Sequence, residues 1–242
     1  MHKVLNRKFW LRLSSGLVFS IVAFFALYTN GLIKFFFVAG IFLVACLEWY
    51  YLSKKTGYSF MFGLAGLLYL ALSVFSFLLI PTYLAIVMLV SVVLSDTGAF
   101  LAGKKIGGPK LIPALSPQKT WAGFCGAILF PAILAGGMQG LVFIPDAPLS
   151  GIYNWSDDWS VVKFFVFIHK DAIFLTVIFM FGVLGMVSQA GDILMSAAKR
   201  AAGIKDTGFL IPGHGGVLDR IDAMLLTAPF FLFCLEILER MQ

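Results

Sequence analysis

Charged side chains are scarce in this sequence, and their scarcity excludes most soluble proteins. Of the 242 residues, 12% are charged and 60% are hydrophobic, and the mean hydropathy is +0.96. A soluble chain carries roughly 25% charged residues, so this chain has too little polar surface to stay in water. The same shortage disfavours a disordered chain and a nucleic-acid-binding protein. The sequence therefore predicts an integral membrane protein.

Cysteine is scarce as well. The three cysteines, Cys46, Cys125 and Cys234, all lie inside apolar runs, where cysteine behaves as a small hydrophobic residue. No spacing of Cys and His resembles that of a zinc site. A disulfide scaffold and a zinc protein are therefore both disfavoured.

Long apolar runs predict an all-α, polytopic membrane protein with about seven transmembrane helices in one domain, residues 1–242. A helix needs about 20 mostly apolar residues to cross the hydrocarbon layer. The forty residues from Thr56 to Ser95 carry no charge and provide two spans with a break at Pro81. The other spans are Leu13–Tyr28, Phe35–Leu52, Trp121–Phe143, Ala172–Gln189 and Ala223–Leu238. The short apolar segment Val161–His169 leaves eight or nine helices as alternatives.

The basic residues predict how these helices are oriented. With the amino terminus in the cytoplasm, fourteen of the eighteen Lys and Arg residues lie on the cytoplasmic side, which is the asymmetry that orients membrane proteins. No persuasive cleavage site follows the first apolar run, so an uncleaved first helix is preferred to a signal peptide. Small residues suit close helix packing within or between subunits, which leaves a homodimer open: Gly126, Ala135, Gly136 and Gly137.

The first polar region of the chain surrounds the predicted cytoplasmic loop Gly103–Thr120. Asp96 precedes it near the end of the fourth span, where a carboxylate costs on the order of 2 to 3 kcal/mol unless it is paired or binds a cation. It is either a functional acid or a marker of the interface. Ser116, Lys119 and Thr120 follow a lysine-rich run, which indicates either cytoplasmic topology or an anionic substrate.

The second polar region begins at the end of the sixth span. We predict that this helix continues past Asp192 and places Ser196, Lys199 and Arg200 on one stripe. A carboxylate, a hydroxyl and two cations in this order suit a metal-bound polyphosphate. The alternative is a basic pair that contacts lipid headgroups.

A glycine-rich loop and two further acids complete this region. Glycines at this density let backbone N–H groups approach phosphate oxygens closely. His214, between these glycines, is a phosphate donor, a general acid or a residue with a structural hydrogen bond. Asp219 and Asp222 are three residues apart on the last helix, so they project to one side and repel each other unless a cation lies between them. Mg²⁺ is a suitable cation, because one or two carboxylates plus substrate phosphates commonly hold it.

These residues resemble the signature of the phosphatidate cytidylyltransferases, the CDP-diacylglycerol synthases. The match runs in order through Gly191–Asp192, Ser196–Arg200, Lys205–Asp206, Pro212–Gly216 and Asp219–Asp222. A second matching region contains Asp96–Phe100, Gly103 and Ser116–Gly123. Together they cover residues 90–242, whereas residues 1–80 match only as generic membrane helices. The family usually has Tyr, Lys and Glu at the positions of Phe100, Gln118 and Ala122, so no role is assigned there.

The resemblance implies an enzyme that condenses CTP with phosphatidic acid to give CDP-diacylglycerol and pyrophosphate at the cytoplasmic face of a bacterial inner membrane. The implied catalytic residues are Asp192, Lys199, Arg200, Asp219 and Asp222. Mg²⁺ would be held by Asp192, Asp219 and Asp222, with a second, monovalent cation left open. The implied substrate-binding residues are Asp96, Ser116, Lys119, Thr120, Ser196, Lys205, His214, Gly215, Gly216 and Arg220.

Two other functions are considered. One is a related CTP-using membrane enzyme that acts on another lipid, for example an ether-lipid cytidylyltransferase or a polyprenol kinase. The other is an ion-coupled transporter, in which Asp96 and Asp192 would be ion or proton sites. Transport is disfavoured because the charges gather at one face of the membrane and the sequence has no internal repeat.

Overall fold

The computed structural model describes residues 31–57, 59–143, 171–208, 210 and 215–240. Several predicted features lie outside these residues: the first span Leu13–Tyr28, the segment Val161–His169, and His214. The first span therefore stays a prediction.

The described residues contain six helices and two short strands. In chain order they are α1 (Leu32–Lys54), α2 (Ser59–Leu79), α3 (Thr82–Lys105), β1 (Lys110–Ile112), β2 (Ser116–Thr120), α4 (Trp121–Phe143), α5 (Asp171–Ala201) and α6 (Leu218–Arg240). Five of these helices are long and apolar enough to cross a membrane, and α4 contains a shorter apolar stretch, Trp121–Gly137. The chain is therefore a mostly helical, polytopic membrane protein.

The described helices agree with the predicted spans from the second span onward. Pro81 separates α2 from α3, because proline has no N–H group to continue a helix. Helix α4 has the predicted bounds. Helix α5 continues to Ala201, which confirms that it extends past Asp192. The full number of spans and their orientation stay predictions.

The predicted loop Gly103–Thr120 contains a β-hairpin, which the all-α prediction missed. Strands β1 and β2 pair antiparallel, with Lys110 opposite Thr120. Gly107 and Gly108 have φ angles of 68° and 93°, which glycine adopts without strain, and they turn the chain from α3 into β1. The strands are three and five residues long, too short for an alternating pattern to show in the sequence.

The described residues form two compact units. The first unit consists of the described residues up to Thr82 together with those within Gly191–Leu232. The second consists of the described residues within Tyr83–Ala190 together with those from Phe233 onward. Helices α5 and α6 therefore contribute residues to both units.

The core of the first unit joins α1 and α2 to the end of α5 and the start of α6. Its buried apolar residues are Ala45, Trp49, Leu52, Leu70, Met195, Ala202, Val217, Leu218, Ile221 and Leu225. The Trp49 ring stacks on Phe62, and its N–H group donates to the Gly63 carbonyl oxygen at 3.1 Å. Gly66 leaves room for this ring, since a Cβ there would lie 1.7 Å from it. Helix α1 is thus fixed within this unit.

Glycine brings the helices of the second unit into backbone contact. A Cβ at Gly98 would lie 2.4 Å from the Gly126 carbonyl oxygen, so α3 and α4 approach closely because neither residue has a side chain. A Cβ at Gly185 of α5 would lie 2.1 Å from the Ala127 carbonyl oxygen. The Ser95 hydroxyl donates to the Gly185 carbonyl oxygen at 3.2 Å. Close packing at Gly126 therefore occurs within the chain, and a homodimer stays a prediction.

Candidate active site

Three of the predicted acidic side chains and one predicted basic side chain lie close together in the first unit. Asp192 and Lys199 lie near the end of α5, and Asp219 and Asp222 lie in the first turns of α6. Gly191 lets the two helices approach, since a Cβ there would lie 2.9 Å from the Asp222 carbonyl oxygen. A larger residue at this position would force the helices, and with them the carboxylates, apart.

Asp219 is buried, and four hydrogen-bond donors lie within reach of its carboxylate. Lys199 Nζ donates to Oδ1 at 2.8 Å, and the two side chains of this ion pair are only 13% and 5% exposed. Oδ2 accepts the Thr207 N–H at 2.8 Å, the Thr207 hydroxyl at 3.0 Å and the Gly216 N–H at 3.0 Å. Thr207 and Gly216 thus hold Oδ2, while Oδ1 contacts the ammonium group of Lys199.

Asp222 lies beside three other charges. It is half-buried and interacts electrostatically with the carboxylates of Asp192 and Asp219 and with the ammonium group of Lys199. Its Oδ1 accepts the N–H group of Ala223 at 2.9 Å. Three carboxylates beside one ammonium group leave an excess of negative charge, and like charges this close repel each other. The cluster is therefore arranged to attract a cation.

The chemistry of these donors fits Mg²⁺. Within the described part of the chain, no group of three or more His, Cys, Asp or Glu side chains is placed to hold a metal ion. Mg²⁺ does not require such a cage, because it usually keeps several waters and is held by one or two carboxylates plus substrate phosphates. Asp192, Asp222 and Oδ1 of Asp219 are oxygen donors of this kind.

The other predicted phosphate-binding side chains differ in their surroundings. Arg200 is exposed, and its guanidinium group donates to the Ile204 carbonyl oxygen at 3.2 Å, just past the end of α5. Lys205 and Arg220 are exposed to solvent, whereas Ser196 is half-buried. Exposed basic side chains are accessible to an anionic ligand that arrives from water.

Gly215 and Gly216 shape the backbone around Asp219. Gly215 has a φ angle of 87°, and a Cβ there would also lie 2.8 Å from Asp219 Oδ2. A Cβ at Gly216 would lie 2.2 Å from the Thr207 hydroxyl oxygen. A side chain at either position would therefore displace Asp219 or one of its donors.

A second polar cluster forms around Gln189 in the second unit. Lys119 Nζ donates to Gln189 Oε1 at 2.9 Å, and Gln189 Nε2 donates to Asp96 Oδ1 at 3.0 Å. Gln189 is 4% exposed. Both ends of its amide have hydrogen-bond partners, which a buried polar group needs to offset its loss of water. The structure thus joins two predicted substrate-binding residues through a side chain that the sequence does not single out.

The neighbouring residues of this unit have other contacts. Thr120 is buried, and its hydroxyl accepts the N–H group of Gly123 at 3.1 Å, which caps the start of α4. Ser116 is half-buried on β2. Phe100 is exposed, and the ammonium group of Lys104 lies 5.6 Å from the centre of its ring. Thr120 therefore has a role in the fold, and its contact with substrate stays a prediction.

Sequence reasoning missed three polar residues of these clusters: Glu48, Gln189 and Thr207. Glu48 of α1 accepts the N–H groups of Val217 and Leu218 at 2.9 Å and 2.8 Å. A signal was available for Glu48, which lies inside an apolar run, and for Gln189, which lies at the end of one, because polar residues in a membrane span are costly unless they are paired or functional. Thr207 lies in a polar loop, where a threonine gives no such signal.

Replacing Gln189 with Leu is expected to lower the free energy of unfolding by about 1 to 3 kcal/mol, because Asp96 and Lys119 lose their common partner. Thermal unfolding of the purified protein in detergent measures this effect. Gln118→Leu is the matched control, since Gln118 is exposed on β2 and should change the unfolding free energy by less than about 0.5 kcal/mol. Equal effects of the two substitutions would contradict a bridging role for Gln189.

Comparison with known proteins finds similarity along most of the chain. Residues 81–238 match the model of the cytidylyltransferase family, a range that includes every residue of the two polar clusters except Glu48. The phosphatidate cytidylyltransferase of Rickettsia bellii (strain RML369-C) is 34% identical over 236 residues, which cover 93% of this chain and 89% of the relative. That of Rickettsia prowazekii (strain Madrid E) is 32% identical over 96% of this chain and 93% of the relative. That of Bacillus subtilis (strain 168) is 36% identical over 59% of this chain and 44% of the relative.

Proposed function

This chain belongs to the cytidylyltransferase family, and on that premise we propose that it transfers the cytidylyl group of CTP to phosphatidic acid, forming CDP-diacylglycerol and pyrophosphate. The observation that carries this proposal is the cluster of Asp192, Asp219 and Asp222 with Lys199 at the ends of membrane-spanning helices. At such a position a nucleotide in water can meet a phosphate on a lipid. Relatives named phosphatidate cytidylyltransferase support the choice of phosphatidic acid as the acceptor.

The reaction joins the lipid phosphate to the α-phosphorus of CTP. A phosphate monoester is already an anionic nucleophile at neutral pH, so a separate general base is not required. An oxygen atom of the lipid phosphate forms a bond to the α-phosphorus while the bond from that phosphorus to pyrophosphate breaks. Catalysis of this kind depends mainly on positioning the reactants and neutralising their charges.

Asp192, Asp219 and Asp222 would hold the Mg²⁺ ion, with substrate phosphates and water supplying its remaining ligands. When bound, Mg²⁺ neutralises charge on the triphosphate and on the departing pyrophosphate. Lys199 stays paired with Asp219 and holds this carboxylate in place. Phosphate oxygens are bound by the remaining groups of the signature, which are Ser196, Arg200, Lys205, His214, Gly215, Gly216 and Arg220.

The second cluster contributes a fixed cation for substrate binding. Gln189, whose NH₂ group is held by Asp96, accepts a hydrogen bond from the ammonium group of Lys119 and so fixes its position. Charge-assisted hydrogen bonds from such a group bind phosphate strongly. Ser116 and Thr120, on the same strand, belong to the same substrate-binding segment.

The protein crosses a bacterial inner membrane seven times, with its amino terminus and its active site on the cytoplasmic side. Five described helices are long and apolar enough to cross a membrane, which supports five of these spans; α4 would be a sixth span and Leu13–Tyr28 the remaining one. The distribution of Lys and Arg supports this orientation. The bacterial relatives support location in an inner membrane. CTP in the cytoplasm is then on the same side of the membrane as the site.

Pyrophosphate release by the purified protein tests this function. With CTP, Mg²⁺ and phosphatidic acid, we expect release in step with the formation of a nucleotide-linked lipid, and chelation of Mg²⁺ by EDTA should stop it. An ether-lipid phosphate and a polyprenol are offered separately as other acceptors. Faster release with the ether-lipid phosphate would contradict the proposed substrate, and CDP formation with the polyprenol would contradict the proposed reaction.

A further inference from the structure

Glu48 is a buried carboxylate that reaches from α1 to the start of α6. It is the one acid in the sequence of α1, and it is 8% exposed. Its Oε1 accepts the Val217 N–H at 2.9 Å, and its Oε2 accepts the Leu218 N–H at 2.8 Å. N–H groups at the start of a helix have no partner within that helix. Because the Val217 side chain has no acceptor atom, Glu48 caps α6 from another helix.

The hydroxyl group of Thr207 connects Glu48 to Asp219. Its oxygen lies 3.0 Å from Glu48 Oε2 and 3.0 Å from Asp219 Oδ2. The hydroxyl has one proton, so it donates to one carboxylate at a time while remaining in contact with both. The Thr207 N–H also donates to Asp219 Oδ2 at 2.8 Å. Glu48 therefore positions Thr207, and Thr207 positions Asp219.

Two glycines make room for the Glu48 carboxylate. A Cβ at Gly208 would lie 2.7 Å from Oε1, and a Cβ at Gly216 would lie 2.4 Å from Oε2. A buried carboxylate carries a large desolvation cost, and an apolar side chain would fill the same space without it. Packing alone therefore does not explain an acid at this position. Capping of α6 and the contact with Thr207 do explain it.

We propose that Glu48 is a positioning residue of the active site, which sets the place of Asp219 through Thr207 and the place of Asp222 through the capped first turn of α6. Glu48 itself touches neither the substrate nor the cation. Lys199 holds Oδ1 of Asp219 from α5, so the carboxylate is fixed from two sides. The activity part of the test rests on the proposed cytidylyl transfer, and the hydrogen-exchange part does not.

Glu48→Gln in the full chain, reconstituted in lipid nanodiscs, tests this role. The amide keeps the volume but places an NH₂ group against one of the N–H donors, so hydrogen exchange at Val217 and Leu218 should become faster by about 10-fold or more. Mg²⁺ should protect the segment 215–222 from exchange in the parent protein, with the half-saturating concentration raised by about 10-fold or more in the variant. Turnover per folded molecule should fall by about 10- to 100-fold.

Glu236→Gln is the matched control, because Glu236 is an exposed acid farther along α6. It should leave exchange at residues 215–222, the response to Mg²⁺ and turnover unchanged. If Glu48→Gln lowers the melting temperature but leaves the Mg²⁺ response and turnover per folded molecule at the parent values, Glu48 only stabilises the fold and the inference is overturned.

The two readouts separate this inference from the proposed function. A parent protein that is inactive with CTP and phosphatidic acid would sink the proposed function, and the Mg²⁺ protection experiment would still decide the role of Glu48. Loss of that protection in Glu48→Gln supports the inference, and equal protection in the two proteins overturns it.

Thr207→Val provides a second test, which also applies if Glu48→Gln does not fold. The substitution keeps the shape of the side chain and the backbone N–H bond to Asp219, but removes the bridging hydroxyl. It should raise the half-saturating Mg²⁺ concentration by about 3-fold or more, and its effect should not add to that of Glu48→Gln. An unchanged Mg²⁺ response in Thr207→Val, or full additivity in the double variant, would overturn the proposed route through Thr207.

Discussion

Asp219→Asn is expected to lower turnover of CTP and phosphatidic acid by at least about 100-fold, the loss typical of removing one group that acts on transition-state charge. The substitution keeps the size of the side chain and removes its charge. An amide also has one acceptor oxygen where the carboxylate has two, so its NH₂ group must face either the Lys199 ammonium group or the N–H groups of Thr207 and Gly216. The variant therefore loses a ligand for the cation and, at the same time, contacts that hold Lys199 or Thr207 and Gly216 in place.

The measurement is pyrophosphate release per folded molecule, compared with that of Glu236→Gln. Glu236 is exposed and belongs to neither cluster, so its amide variant should stay within about 2-fold of the parent protein. Undiminished turnover in Asp219→Asn, or an equal loss in both variants, would contradict the role assigned to Asp219.

Lys199→Met is the second substitution with a large expected effect. Methionine keeps much of the length of the lysine side chain but leaves the Asp219 carboxylate, whose side chain is 5% exposed, without its cation. Breaking a buried ion pair from one side costs about 3 to 5 kcal/mol of unfolding free energy. Turnover should fall by about 100-fold, because the carboxylate is no longer held by Lys199 and a positive charge next to the phosphates is missing. Unfolding in detergent and pyrophosphate release measure the two effects.

The double variant Lys199→Met/Asp219→Asn shows whether the two residues act as a pair. Its loss of unfolding free energy should be smaller than the sum of the single losses by at least about 1 kcal/mol. Lys105→Met, an exposed lysine at the end of α3, is the control and should change the unfolding free energy by less than about 0.5 kcal/mol. Strict additivity of the Lys199 and Asp219 substitutions would show that their contact contributes nothing to stability.

The helices could be predicted because each span is a long apolar run and Pro81 marks a break between two of them. The hairpin of β1 and β2 could not, because its short strands have no readable periodicity and depend on the turn at Gly107 and Gly108. The contact between Gly98 and Gly126 could not be predicted either, since the order of spans along a chain does not determine which membrane helices are neighbours.

The candidate site was predictable where the chain itself brings residues together. Asp192 and Lys199 follow each other on one helix, and Asp219 and Asp222 are one turn apart on the next. Partners far apart in sequence were not predictable: Glu48 and Leu218 are separated by 170 residues, and Gln189 and Asp96 by 93. A buried acid or amide in an apolar run indicates that a partner exists, but not where the partner lies.

The fate of the α-phosphate of CTP tests the central claim most directly. The purified protein is given phosphatidic acid, Mg²⁺ and CTP labelled at either the α- or the γ-phosphate, and the lipid is then separated from the water-soluble products. We predict that the α-label enters the lipid and the γ-label appears in pyrophosphate, and that Asp219→Asn transfers almost none of the α-label. Label from the γ-phosphate in the lipid, or no labelled lipid with the parent protein, would contradict the assignment of this protein as a cytidylyltransferase acting on phosphatidic acid.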